Sequence, residues 1–188
     1  MTDTPESFAP LTIAFHWVIG VTIICLLALG LYMTDLPKGE WRGELYGYHK
    51  LAGTTVFIIA ALRILWRWQN GMPVPAGDYP QWQHALAMGV HYCLLIATLA
   101  MPLSGAALSY GKGHPVPVLG LFNIGPPAQE IPWLGDGGSF VHYWAGWVLI
   151  AIIVLHVIGA LKHHYLDKDG TLRRMLGSRV SQAEKTRP

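Results

Sequence analysis

Charge is what this 188-residue chain has least of. Only 13% of its residues are Asp, Glu, Lys or Arg, about half the roughly 25% of an ordinary soluble domain. So little charge could not cover a water-soluble fold, and with 52% hydrophobic residues and a mean hydropathy of +0.35 the composition points to lipid. The same apolar content excludes a disordered chain. A net charge of +2 leaves no basic excess for nucleic acid. Cysteine is scarce too: Cys25 and Cys93 each lie inside an apolar run, which excludes a disulfide scaffold and reads as two buried thiols. One residue type is plentiful. Nine histidines stand against thirteen Lys plus Arg, and histidine inside lipid calls for a reason.

Four apolar stretches are long enough to cross about 30 Å of hydrocarbon as helices, at residues 11–33, 49–68, 84–110 and 140–164. Backbone polar groups in lipid must be paired internally, so the expected fold is an all-α, integral membrane four-helix bundle. Pro102 is expected to interrupt the third span. The first span follows Asp3 and Glu6 rather than basic residues and no small-residue cleavage site follows it, so it reads as a retained helix.

Four spans put both termini on one side of the membrane, and the basic residues indicate which. Arg63, Arg67, Lys162, Lys168, Arg173, Arg174, Arg179, Lys185 and Arg187 gather at the second connection and the tail, against Lys38, Arg42, Lys50 and Lys112 opposite. That asymmetry places both termini in the cytoplasm. The tail, residues 169–188, is basic and polar and is expected at the cytoplasmic surface. The third connection, 111–139, holds twelve Pro or Gly in 29 positions, which argues against a regular element there. It is either a plain surface connection or a lid over the outer mouth.

Four histidines fall where a buried cofactor could use them. His142 and His156 are fourteen residues apart on the fourth span, roughly 1400° of helical rotation and about 21 Å of rise, so they share one face at two depths. His49 begins the second span level with His142, and His16 lies in the first span level with His156. Two stacked pairs result, an arrangement suited to two bis-histidine haems between facing helices. No Cys-x-x-Cys-His is present, so the haems would be non-covalent, of b type. Each of the four is followed one turn later by a glycine that would let a planar group lie against the helix: Gly20, Gly53, Gly146 and Gly159. His84, His91, His114, His163 and His164 have no such glycine. Small-residue packing between membrane helices is the competing explanation for any single pair.

The other candidates carry two readings each. Arg63 and Arg67, one turn apart, either snorkel to headgroups or pair haem propionates. His84 and His91 share a helix face near the cytoplasmic end, as packing residues or as propionate or quinone contacts. His163 lies seven residues beyond His156, on the same side, and could border a cytoplasmic cavity. Lys50, Arg42 and Lys112 are interspersed surface charge or a steering patch for a small anion. Trp41, Trp66, Trp68, Trp82 and Trp133 mark the interfaces.

Taken together the chain resembles the prokaryotic cytochrome b561 family over essentially its whole length, as a single transmembrane cytochrome b domain spanning 1–188. The carrying segments are Phe15-His16-Trp17, Tyr48-His49-Lys50-Leu51-Ala52-Gly53, Arg63 through Arg67, Val141-His142-Tyr143-Trp144-Ala145-Gly146, and Leu155-His156 with Lys162-His163-His164-Tyr165 and Asp167-Lys168-Asp169-Gly170-Thr171-Leu172. The resemblance implies a bacterial inner-membrane, multi-pass bundle with two b haems on His16/His156 and His49/His142, exchanging electrons with the ubiquinone pool. Some members are similar to superoxide oxidases, which implies superoxide as a periplasmic-side donor and a superoxide:ubiquinone oxidoreductase activity. In that analogy His163 and His91 belong to the quinone cavity. No catalytic acid, base or nucleophile is called for.

Two other functions fit parts of the pattern. A cytochrome anchor subunit would exchange electrons with a periplasmic dehydrogenase or hydrogenase through the 111–139 connection. A metal transporter would need acidic residues inside the spans, and the apolar cores of all four have none.

Overall fold

The computed structural model describes residues 2–77 and 79–180. Lys185 and Arg187, and the tail beyond 180, lie outside the described residues. Four long helices carry the fold: α1 (Pro10–Asp35), α2 (Glu40–Asn70), α3 (Gln81–Gly111) and α4 (Pro132–Tyr165), with a hairpin of β1 (Val116–Val118) and β2 (Phe122–Ile124) before α4 and a short α5 (Thr171–Met175) after it. All four long helices are long and apolar enough to cross a membrane. Their outward faces confirm the solvent they need. Ile24, Ile96 and Ile158 are each more than half exposed, and such side chains are stable in quantity only against lipid. Cys25 and Cys93 are free, as expected of unbridged thiols, but they sit on these exposed faces and not in the interior.

The bundle interior is narrow. Ile19, Val56 and Ala60 pack together, flanked by Phe15, Ile23, Leu26, Ile59 and Leu99. α3 and α4 make the closest helix pair, and glycine explains how. A methyl group built on Gly138 would lie 2.5 Å from the Leu108 nitrogen and 2.9 Å from the Ser104 oxygen, and one on Gly111 would collide with Gly135. The two backbones touch there, as small residues permit between membrane helices.

The 111–139 connection departs from expectation, because regular structure does form in it. Antiparallel β1 and β2 pair Val116 with Ile124 and Val118 with Phe122. Leu119 and Gly120 both take positive φ, 52° and 71°, and the Leu121 amide donates to the Val118 carbonyl at 2.9 Å. Those are the marks of a tight hairpin turn whose twist suits the strands it joins. Pro132 opens α4 at a helix start, where its missing N–H is no loss. α4 therefore begins at Pro132 instead of 140, and α2 at Glu40 instead of 49. Both helices extend beyond their apolar runs at the hairpin end. α3 runs through Pro102 without a break in the helix.

At the opposite, terminal end the tail is built into the protein as far as Val180. Arg174 is buried, donates to the Pro5 and Val74 carbonyls at 3.1 Å each, and lies 4.6 Å over the Phe8 ring. The Val180 amide donates to the Glu6 carbonyl and Trp17 Nε1 to the Met175 carbonyl. The N-terminal segment, the α2–α3 connection and α5 thus form one cap. The described part of the tail, residues 169–180, is thus packed against the end of the bundle, with most of its side chains still at the surface.

Candidate cofactor and electron-transfer site

The four histidines predicted as partners meet in two pairs. His16 of α1 and His156 of α4 have ring centroids 6.0 Å apart, and His49 of α2 and His142 of α4 have theirs 6.1 Å apart. Imidazole nitrogens bind a first-row metal ion at about 2 Å, so two rings on opposite sides of one ion have centroids about 6 Å apart. Both pairs match that separation.

The helices bring a regular set of groups to these two levels. Each long helix carries two residues fourteen positions apart: His16 and Gly30 on α1, His49 and Arg63 on α2, His91 and Gly105 on α3, His142 and His156 on α4. Fourteen residues return a helix to nearly the same face about 21 Å along. The contacts follow the same two layers. At the hairpin end a methyl on Gly30 would stand 3.4 Å from His49 Cε1, and one on Gly105 would stand 3.0 Å from His142 Cε1. At the terminal end His91 joins His156 at a centroid distance of 5.5 Å, and Arg63 lies within electrostatic reach of His16, His91 and His156. One layer is two histidines walled by two glycines. The other is three histidines and an arginine.

Gly30 and Gly105 are not legible from same-helix spacing to the histidines they face, because those histidines lie on other helices. The glycines one turn beyond each histidine on its own helix behave differently. Gly20, Gly53 and Gly159 face open space and Gly146 faces Met101 Cε at 3.8 Å. The fourteen-residue repeat was the signal that would have found the other two.

The residues present fit a bis-imidazole group. His142 Nδ1 lies 3.0 Å from the Met101 carbonyl oxygen and 3.1 Å from Ser104 Oγ. Donation from Nδ1 to that carbonyl leaves Nε2 without a proton and free to bind a metal, the usual way a ligand histidine is oriented. His49 Nδ1 is buried with no hydrogen-bond partner among the described residues, an orphaned polar atom of the kind a bound group explains.

The two arginines part company. Arg67 Nη1 donates to Asp3 Oδ2 at 2.7 Å and to the Gly71 carbonyl at 3.2 Å. Burial alone would raise the Asp3 carboxyl, but hydrogen bonds from Arg67, the Ala9 amide and Thr12 outweigh it and hold the group below its ordinary value. The Thr12 hydroxyl in turn accepts from Trp66 Nε1 at 2.9 Å, which ties α2 to the start of α1. Arg63 makes no ion pair among the described residues and lies within electrostatic reach of the three-histidine layer. Asp3 was invisible as a partner because 64 residues separate it from Arg67.

His163 lies beyond that layer at the terminal end. Its Nδ1 is 2.9 Å from Asp167 Oδ2 and 3.0 Å from Asp169 Oδ2, and its ring is 4.7 Å from that of Tyr79. The Tyr79 hydroxyl donates to Asp169. Burial and that bond push the Tyr79 hydroxyl above its ordinary value, so it stays protonated. His84 and His114 are exposed. At the hairpin end Lys50 Nζ donates to the Pro115 carbonyl at 3.1 Å and Ser109 Oγ at 3.4 Å, and Arg42 to the Leu36 carbonyl at 3.0 Å. The connection is thus pinned over the end of α2, nearer to a lid than to a loose link.

Comparison with known proteins bears on the family. Residues 7–178 match the prokaryotic cytochrome b561 family. The chain is 32% identical over 181 residues to cytochrome b561 homolog 2 of Escherichia coli K12, covering 96% of each protein. It is 33% identical to cytochrome b561 homolog 1 of the same organism over 92% of this chain and 98% of that one. A probable superoxide oxidase CybB of Yersinia pestis is 24% identical over 91% of this chain and 96% of its own length. With a family match over nearly all of its length and a bundle of four membrane-spanning helices lined by paired histidines, the chain belongs to the prokaryotic cytochrome b561 family, whose members are haem-binding, electron-transferring membrane proteins.

Proposed function

We propose that this membrane cytochrome holds two b haems and moves electrons across the bacterial inner membrane between a periplasmic-side donor and ubiquinone. The observation that carries the reading is the stacking of two histidine pairs, at 6.0 and 6.1 Å, on opposite halves of one bundle. His49 and His142 would hold the outer haem, His16 and His156 the inner one. Bound b haem supplies reversible one-electron chemistry. The chain's part is to fix the imidazoles, exclude water and neutralise charge. Arg63, with no carboxylate partner among the described residues, suits the propionates of the inner group, while Arg67 serves the Asp3 clasp. Gly20, Gly53, Gly146 and Gly159 give the planes room.

The termini lie in the cytoplasm on this reading, from the distribution of Lys and Arg. His163 and His91 border the quinone cavity at that end. Superoxide is the favoured donor, supported by the likeness to the probable superoxide oxidase. Purified protein should contain two haems per chain by reduced-minus-oxidised spectroscopy, and one haem per chain would overturn the claim. Stopped-flow mixing with superoxide, compared with ubiquinol, decides the direction of flow: reduction by superoxide and reoxidation by ubiquinone are expected.

A second reading draws on the hairpin. Leu121, Phe122 and Ile124 are 79%, 59% and 49% exposed beyond the membrane helices, a surface suited to docking a periplasmic dehydrogenase or hydrogenase. Copurification of a partner that is lost with Leu121→Asp and Phe122→Asp would favour it over a free-standing oxidase.

A further inference from the structure

Beyond the last turn of α4 lies a cluster of ligand-type side chains that has no part in holding a haem. The chain folds back over the helix end: the Asp167 amide donates to the Lys162 carbonyl and the Asp169 amide to the His163 carbonyl, each at 3.1 Å. Between the two aspartates Lys168 takes a positive φ of 52°, uncommon for a residue with a side chain. The turn sets both carboxylates against one imidazole. His163 Nδ1 lies 2.9 Å from Asp167 Oδ2 and 3.0 Å from Asp169 Oδ2. The three residues offer one donor atom each, all within 4.8 Å of one another.

The close contacts to the ring nitrogen are not hydrogen bonds. His163 Nδ1 is buried, yet it has no hydrogen-bond partner among the described residues. Distance does not fail here; direction does, because the nitrogen aims at neither oxygen. A cation gives that direction a reason. Around an octahedral ion with bonds of about 2.1 Å, neighbouring ligands stand at right angles and about 3.0 Å apart. Each oxygen then lies about 45° off the axis of the nitrogen, too far for a hydrogen bond and as expected of ligands that share one metal.

We infer that His163, Asp167 and Asp169 form a site for a six-coordinate divalent first-row cation. One imidazole and two carboxylates suit such ions, manganese and zinc among them. The surroundings fit the role. Asp169 is 9% exposed and is fixed by the Thr171 amide at 2.7 Å and by the Tyr79 hydroxyl, as ligating carboxylates usually are by hydrogen bonds from behind. Asp167 is 27% exposed, so water can reach the positions that three protein donors leave open. One charge competes. Lys162 Nζ donates to both Asp167 oxygens, at 2.9 and 2.7 Å, but it is 40% exposed on a long stem and can turn out to water. Arg174 is coupled electrostatically to Asp169 but spends its hydrogen bonds on the Pro5 and Val74 carbonyls. The cation would tie the end of α4 to residues 167–169 and, through Tyr79, to the α2–α3 connection. The site stands whether or not a quinone binds nearby, since it takes only Nδ1 of the ring.

The test uses purified, chelator-washed holoprotein, in which the haem histidines are already taken. It is titrated with manganese(II) and followed by electron paramagnetic resonance, which reads the free ion. Wild type should bind one manganese ion per chain, and zinc(II), which stands higher in the affinity order of first-row ions, should displace it. The unfolding midpoint should rise with manganese concentration, because the ion binds only the folded cluster. Asp167→Asn should weaken binding at least tenfold with the haem spectrum unchanged, and His163→Gln should do the same. Asp167 is partly exposed, so its variant decides the matter even if Asp169→Asn fails to fold. Lys162→Met should tighten binding several-fold by removing the competing ammonium, and His84→Ala, which alters an exposed histidine away from the cluster, should change nothing. No saturable binding by wild type at millimolar manganese, or equal binding by wild type, His163→Gln and Asp167→Asn, would overturn the site and leave the two-haem reading intact.

Discussion

The Nδ1 nitrogen of His142 lies 3.0 Å from the carbonyl oxygen of Met101, across the tightest helix contact in the bundle. Backbone approach makes that possible. Gly105 sits one turn after Met101, and a methyl group there would stand 3.0 Å from His142 Cε1 and 3.2 Å from its Nδ1. Gly105→Ala should therefore displace the imidazole, at about 1–3 kcal/mol of overpacking. The expected outcome is a chain that still folds and keeps one haem, with the outer haem's absorption band and reduction potential shifted or lost. Redox titration of membranes measures it, and an unchanged two-step titration would refute the arrangement.

Removing one imidazole separates ligands from bystanders. His156→Ala should lower haem content from two per chain to one and spare the His49/His142 group. His84→Ala, altering an exposed side chain, should retain both. The terminal layer needs a further comparison, because His16 and His91 both approach His156, at 6.0 and 5.5 Å. His16→Ala should abolish the inner haem while His91→Ala keeps it and changes only quinone turnover. The opposite result, by haem assay, would exchange their roles.

Local pattern made the bundle and its histidine pairs readable in advance; distant contacts stayed hidden. Apolar length fixes a spanning helix, and helical rotation puts His142 and His156 on one face. Helix ends were different. Residues 40–48 and 132–139 are rich in Glu, Gly and Pro, and α4 starts early because Gly135 and Gly138 let it lie on the α3 backbone, a tertiary effect no window of sequence contains. The clasp of Asp3 on Arg67 and the approach of Asp169 to Tyr79 join residues 64 and 90 apart. Spacing along a helix carries no information about such pairs. Gly30 and Gly105 are intermediate: their fourteen-residue offsets from His16 and His91 were present, but only the opposing helix gives the offsets meaning.

Lys50 ties the hairpin down through the Pro115 carbonyl and Ser109. Replacing it with methionine keeps the apolar stem and removes the donors. Lys50→Met should leave the helices and haem content unchanged but raise hydrogen exchange across residues 115–124 by about tenfold, the equivalent of roughly 1.4 kcal/mol for hydrogen bonds to a charged donor. Exchange at the wild-type rate would show that the packing of β1 on α2, and not Lys50, holds the lid.

The Asp3–Arg67 clasp gives stability a definite pH dependence. The Asp3 carboxyl is held below its ordinary 3.8 by Arg67, the Ala9 amide and Thr12, so the folded protein binds this proton less readily than the unfolded chain. Stability from the clasp is then fully present above about pH 4 and declines as pH falls through the lowered folded value, with no change between pH 5 and 8. Asp3→Ala leaves a largely buried guanidinium with only the Gly71 carbonyl, a loss of about 3 kcal/mol. Asp3→Asn, which keeps an acceptor oxygen but not the charge, should lose less. Thermal unfolding in detergent at pH 7 should follow the order wild type, Asp3→Asn, Asp3→Ala. Near pH 3 the three midpoints should draw together, because protonation removes from wild type the charge that the variants already lack. Midpoints that stay equally separated from pH 7 to pH 3 would show that the carboxylate charge contributes nothing and that the segment is held by its neutral contacts alone.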